Sequence, residues 1–239
     1  MSKPLSSLPP GVEHRLAAWE QVQYRLGHEP SPRIRPTITL SRQFGCEAFP
    51  VSERLKAMFE EASGEPWNIY DRTLIERVST EQGISIGLLR RLGEMSSTLD
   101  ALGFHPAGHT VHDRALEQTA KYVVQIAKVG NAIVVGRGGA LLCRNMKNCF
   151  HFRLEASHDW RVASMMRRLE IPRREAEEIV KGGEKQREKF ITRYFGENIA
   201  DRKHYHAVFD NERQSANEIA AAIMSHVRAA WPEKEYFKR

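Results

Sequence analysis

Gly130-Asn131-Ala132-Ile133-Val134-Val135-Gly136-Arg137-Gly138-Gly139 is the stretch whose reading decides the fold. Its apolar run at 132–136 is unbroken, as in a strand buried on both faces of a parallel sheet. Gly130-Asn131 stops whatever precedes it, and the glycines around Arg137 make a turn where backbone can approach a ligand closely. At the carboxyl end of a parallel strand, such a turn borders the ligand crevice of an open α/β sheet.

Working outward, residues 113–128 place Ala115, Leu116, Thr119, Val123, Ile126 and Ala127 on one stripe, which predicts an amphipathic helix ending at Gly130. Upstream, TITLS at 37–41 and WNIYDR at 67–72 read as strands, with a helix over about 51–62 between them. The stretch 73–130 reads as mainly helical. Downstream, CFHFRL at 149–154 and HAVFD at 206–210 complete five short strands separated by helical segments. That order predicts a three-layer α/β/α domain with a five-stranded parallel sheet.

Residues 1–36 hold six of the eleven prolines around one amphipathic stretch, about Val12 to Leu26. They read as an N-terminal extension with one helix, which could cover the domain or join two chains in an oligomer. The α/β domain is expected over 37–230, and 231–239 as a C-terminal tail.

The chain's 239 residues can bury a full core, and 41% hydrophobic and 28% charged residues are ordinary for a globular protein. No apolar run is long enough for a membrane span and the N-terminus lacks a signal-peptide core, so a cytoplasmic location is expected. Cys46, Cys143 and Cys149 lack metal or redox spacing and are expected to be reduced and partly buried. The ten histidines are scattered, so no separate metal site is expected.

A net charge of +6 suits an anionic ligand. Between Arg161 and Lys203, twelve Lys or Arg stand against eight Asp or Glu on predicted helices. That segment, about 159–203, is a candidate phosphate-clamping lid, with a solvated helical surface as the plain alternative. Nucleic-acid binding has only the basic charge in its favour, without aromatic stacking runs.

ITLSRQFG, IYDRTLIE, GNAIVVGRGG, FRLEASHDWR, Glu184-Lys185-Gln186-Arg187 and YHAVFDN, in this order, resemble the cytidylate kinase-like family of P-loop nucleoside monophosphate kinases. The resemblance runs from about Thr37 to Ile223. It implies a P-loop NTPase-like fold with a helical lid, and transfer of the ATP γ-phosphate to CMP or a related small phosphate acceptor, with Mg-ATP as cofactor. It places Arg42 and Gly45 in the nucleotide loop and Asp71 and Arg72 in the monophosphate pocket. Gly136, Arg137 and Gly138 become a substrate-side turn, and Arg161, Arg167, Arg168 and Arg187 lid contacts to phosphate.

The loop after Gly45 departs from the family pattern. No GxxxxGK[ST] sequence is present; Cys46, Glu47, Ala48 and Phe49 replace glycines and a basic residue, and Pro50 removes a backbone donor. A Glu47 carboxylate about 4 Å from a phosphate charge would cost about 1 kcal/mol in water and about 4 kcal/mol at an effective dielectric near 20. Two functions follow: a phosphotransferase of the nucleoside monophosphate kinase type, or a non-catalytic nucleotide-binding or regulatory protein that keeps the fold.

Overall fold

The structure, a computed structural model, describes residues 34–71 and 111–237. The expected N-terminal helix, Arg72 and residues 73–110 of the helical stretch 73–130 lie outside them.

Five parallel strands form one sheet in the order β2-β3-β1-β4-β5. They are β1 (Thr37–Arg42), β2 (Asn68–Tyr70), β3 (Ala132–Val135), β4 (Cys149–Glu155) and β5 (Ala207–Asp210). The helices are α1 (Ala48–Ser63), α2 (Val111–Val129), the short α3 (Gly139–Leu142), α4 (His158–Leu169), α5 (Arg173–Phe195) and α6 (Ala216–Ala230). Strand β1 is central, with Ile38 opposite Ile133 on one side and Phe150 on the other.

Alternation along the strands makes two layers. Ile38, Leu40, Ile133, Phe152 and Leu154 pack against α1 and α6. Ala132, Val134 and Cys149 pack against α2, α3 and the C-terminal end of α5. The architecture is therefore three-layer α/β/α, as the sequence predicts. The expected tail is partly core: Trp231, Tyr236 and Phe237 are buried beside Phe59 and Trp67, whose rings stack at 4.2 Å.

Sequence chemistry sets the helix ends. Ser157 caps α4 by accepting from the Trp160 N–H, and Ser215 with Glu218 forms a capping box on α6. Gly64 and Gly196 end α1 and α5 in the left-handed conformation. Helix α1 begins three residues earlier than its periodicity suggests, taking Phe49 and Pro50 into its first turn, where a proline costs no intrahelical bond. Helix α2 is less amphipathic than its stripe implies. Thr119 through Ala127 are buried without a break, including Lys121 and Gln125, and Lys121 pairs with Glu117 at 2.7 Å.

All three cysteines are free and buried. No helix among the described residues is long and apolar enough to cross a membrane.

Polar side chains on the α2-facing layer are bonded internally. Thr37 donates to the Ala127 carbonyl at 3.1 Å, and Thr39 Oγ1 meets His151 Nδ1 at 2.8 Å. His206 Nδ1 accepts the His151 backbone N–H at 2.9 Å. Burial, and then the nearby His206, push the His151 imidazole down to about 4. The unfolded chain, at about 6.5, binds this proton more readily. The neutral ring therefore contributes stability above pH 6.5 that is lost as pH falls towards 4. Between pH 7.5 and 5, His151 should account for a loss on the order of 2 kcal/mol. Urea denaturation of wild type and His151→Gln at the two pH values checks this, with the variant expected to show the smaller acid-induced loss.

Candidate functional site

Because the strands are parallel, their carboxyl ends share one edge, and β1 delivers Arg42 there with the loop 43–47 that leads into α1. Gln43 fixes the loop to β4: its N–H donates to the Leu154 carbonyl at 2.9 Å, and its side-chain oxygen accepts the Ala156 N–H at 3.0 Å. Gly45 has φ +96°, and a Cβ there would lie 2.8 Å from both the Cβ and the carbonyl oxygen of Arg161. Only glycine fits this approach of loop and lid.

Lid helix α5 closes on the same loop. The Phe44 ring enters the gap left by Gly183, where a Cβ would sit 2.1 Å from it. The Phe44 N–H donates to Glu184 Oε2 at 2.5 Å. Arg161 Nη1 donates to the Phe44 carbonyl at 3.2 Å and to Glu184 Oε2 at 3.4 Å. Arg187 Nη1 donates to the Arg42 carbonyl at 3.1 Å, and its guanidinium lies 4.7 Å from the centre of the Phe44 ring. Two arginines assigned to phosphate on the lid thus hold the loop backbone itself.

Glu47 is held by α4 and by the segment after β5. Its N–H donates to Asn211 Oδ1 at 2.7 Å, and its carboxylate accepts from Ser164 Oγ at 2.7 Å and Arg167 Nη2 at 3.1 Å. Arg167 therefore neutralises Glu47. A cleft of about 320 Å³ opens beside this helix start, with Glu47, Pro50, Trp160, Asn211 and Glu212 in its wall. Two carboxylates and a tryptophan suit a neutral or cationic group better than a phosphate chain. Arg168 is exposed near the end of α4, its guanidinium 4.0 Å from Met165 Sδ, so it is not drawn in with the others.

Across the edge, Gly136, Arg137 and Gly138 are all left-handed, with φ of +78°, +57° and +69°. A non-glycine residue there costs about 1 kcal/mol or more. Gly136 lets the Arg42 side chain pass, since a Cβ would stand 2.5 Å from Arg42 Nη1. Arg42 is buried. Burial pushes its guanidinium down to about 9, Arg187 and Arg137 push the same way, and Asp71 opposes them. Arg187 is lowered by burial, with Arg153 and Arg137 adding to the effect and Glu184 opposing it. Arg42, Arg137, Arg187 and Asp71, four of the residues singled out in the sequence, are therefore brought into one electrostatic cluster.

Arg153, in β4, belongs to it as well and was assigned no role from sequence. The signal was present, since an arginine inside the otherwise apolar CFHFRL strand is anomalous for a buried segment. Burial raises the Cys46 thiol to about 11 despite nearby arginines, so it is a poor nucleophile. Among the described residues, no group of three or more His, Cys, Asp or Glu side chains is placed to hold a metal ion.

The profile of the cytidylate kinase-like family matches residues 37–213. The chain belongs to the cytidylate kinase-like family. Among solved structures it resembles an uncharacterized protein from Eubacterium ventriosum, at 15% identity and a TM-score of 0.62, with 82% of this chain and 99% of that chain covered. That likeness shows the fold. No curated protein matches the chain.

In residues 43–47, where the sequence resemblance led a nucleotide loop to be expected, several backbone donors are taken up within the protein. Glu184 holds the Phe44 N–H, Asn211 holds the Glu47 N–H, Pro50 offers none, and no lysine lies in the loop.

Gly182 and Gly183 test this closure. Nothing lies within 4 Å of a Cβ at Gly182, so Gly182→Ala should stabilise α5 by about 0.5–1 kcal/mol. Gly183→Ala should forfeit that gain by displacing Phe44. Denaturant unfolding measures the first difference. Faster hydrogen exchange at the Phe44 amide in Gly183→Ala alone checks the second.

Proposed function

We propose that the chain is a phosphotransferase of the nucleoside monophosphate kinase type. The phosphate of its acceptor, CMP by family resemblance or a related small phosphorylated molecule, rests on Arg42, Arg137 and Arg187. The observation that carries this reading is the convergence of these guanidinium groups, with Asp71, at the carboxyl edge of a parallel sheet. Guanidinium forks match phosphate oxygens, and this edge is where open α/β sheets bind ligands. The left-handed conformation of Arg137 agrees with a binding role, since strain of this kind concentrates at functional sites.

Mg-ATP is the donor implied by the family, with Mg²⁺ entering on the nucleotide. Arg161, Arg187 and Glu184 are committed to the loop in the closed arrangement, so a triphosphate needs the lid to release Phe44 first. That occupation motivates a second reading, a nucleotide-binding protein that keeps the acceptor side and no longer uses ATP.

A thermal-shift panel separates the two. Ligand at a hundred times its dissociation constant adds about 2.7 kcal/mol, which should raise the midpoint by roughly 5–10 °C for a chain of this size. CMP or another monophosphate should give such a shift and Mg-ATP alone little. A large ATP shift with ADP formed in the presence of an acceptor establishes the kinase; no shift with any monophosphate removes the acceptor site. Arg137→Gly relieves the left-handed strain, so its unliganded midpoint should be no lower than that of wild type while its monophosphate shift disappears.

A further inference from the structure

Arg153 is the least accounted-for polar group at this edge. Its side chain is 2% exposed, and strand register sets it opposite Ser41, next to Arg42 whose carbonyl Arg187 holds. Its Nε donates to Glu155 Oε1 at 2.7 Å, and its guanidinium lies 5.6 Å from the centre of the Tyr205 ring. Its Nη1 is buried and has no hydrogen-bond partner. A buried cationic donor without an acceptor is costly, and an apolar residue would serve a purely structural strand position better.

The surrounding charge points the same way. Arg42, Arg137, Arg153, Arg161 and Arg187 stand against the carboxylates of Asp71, Glu155 and Glu184 among the described residues. Cations exceed anions here, and neighbouring arginines oppose the charges of Arg42 and Arg187, which an entering dianion relieves.

We propose that Arg153 forms the floor of the anion site, with Nη1 donating to an oxygen of a bound phosphate dianion. This rests on the phosphate-binding reading of the arginine cluster. The ligand is a phosphoryl group with two negative charges, either the end of a nucleoside monophosphate or free phosphate. Burial beneath the ring of Tyr205 makes Arg153 a preorganised donor that is not spent on water.

Calorimetric titration at fixed ionic strength tests this with inorganic phosphate and, separately, CMP. Losing one charge-assisted bond should weaken binding by about ten- to a hundredfold in Arg153→Met. Arg153→Lys should recover part of the loss. Arg174→Met, which removes a charge from the exposed face of α5, should bind as wild type. A loss seen with CMP and phosphate alike marks the phosphoryl end of a nucleotide; a loss confined to phosphate marks a free-ion site.

Wild-type affinity in Arg153→Met overturns the proposal. If Arg137→Gly then still loses binding, the cluster reading stands without Arg153; if wild type binds neither ligand, both fall. Should Arg153→Met fail to fold, phosphate titration of the arginine side-chain NMR signals of the wild-type chain decides. Movement of the Arg153 signal with those of Arg42 and Arg187 supports the contact, and a still Arg153 beside shifting neighbours overturns it.

Discussion

The strand-borne residues of the candidate site meet because β1 is paired in parallel on both sides, to β3 and to β4. Parallel pairing puts the carboxyl ends of all the strands on one edge, so Arg42, the 136–138 turn and Arg153 come from distant parts of the chain to the same edge of the sheet. An antiparallel neighbour would have sent one of them to the opposite end. The hydrophobic layers on the two faces, α1 with α6 and α2 with α5, hold that arrangement rigid.

The collected arginines then repel one another, and the fold answers with local carboxylates and carbonyls. Asp71 offsets Arg42, Glu155 pairs with Arg153, and Glu184 faces Arg161. Backbone carbonyls of Arg42 and Phe44 take donors from Arg187 and Arg161. Part of the clamp's hydrogen-bonding capacity is thereby spent inside the protein, whereas Nη1 of Arg153 is not. A buried guanidinium with an open donor is the mark of a group awaiting an anion more than of one that stabilises a core.

The loop after β1 is fixed by contacts from distant parts of the chain. Gly45 permits the close approach to α4, Phe44 and Gly183 interlock, and the Glu184 carboxylate takes the Phe44 N–H. Glu47, read from sequence as a charge directed at the triphosphate, is instead bound by Ser164 and Arg167 on the lid side. Its cost to anion binding is therefore smaller than its charge alone suggests, and the loss of free donors is the larger obstacle.

Local pattern was enough for the strands, for their alternation with helices and for the glycine turn around Arg137, because apolar periodicity and backbone freedom are properties of short segments. The order of motifs placed Arg42, Asp71 and Arg137 at strand ends, which a parallel sheet gathers on one edge, whereas Arg187 comes from helix α5. Pairings across long separations were not legible. The Phe44–Glu184 bond spans 140 residues and the Arg167–Glu47 pair 120, and nothing local in either segment marks the partner. Arg168 differs from Arg167 by one position, yet a helix turns 100° per residue, so one meets Glu47 while the other faces solvent. The sequence by itself determined the parallel scaffold and the residues at its carboxyl edge. Which of those side chains are spent on the protein and which keep a donor for a ligand was decided only by tertiary packing, because hydrogen-bond satisfaction depends on distance in space and not on distance along the chain.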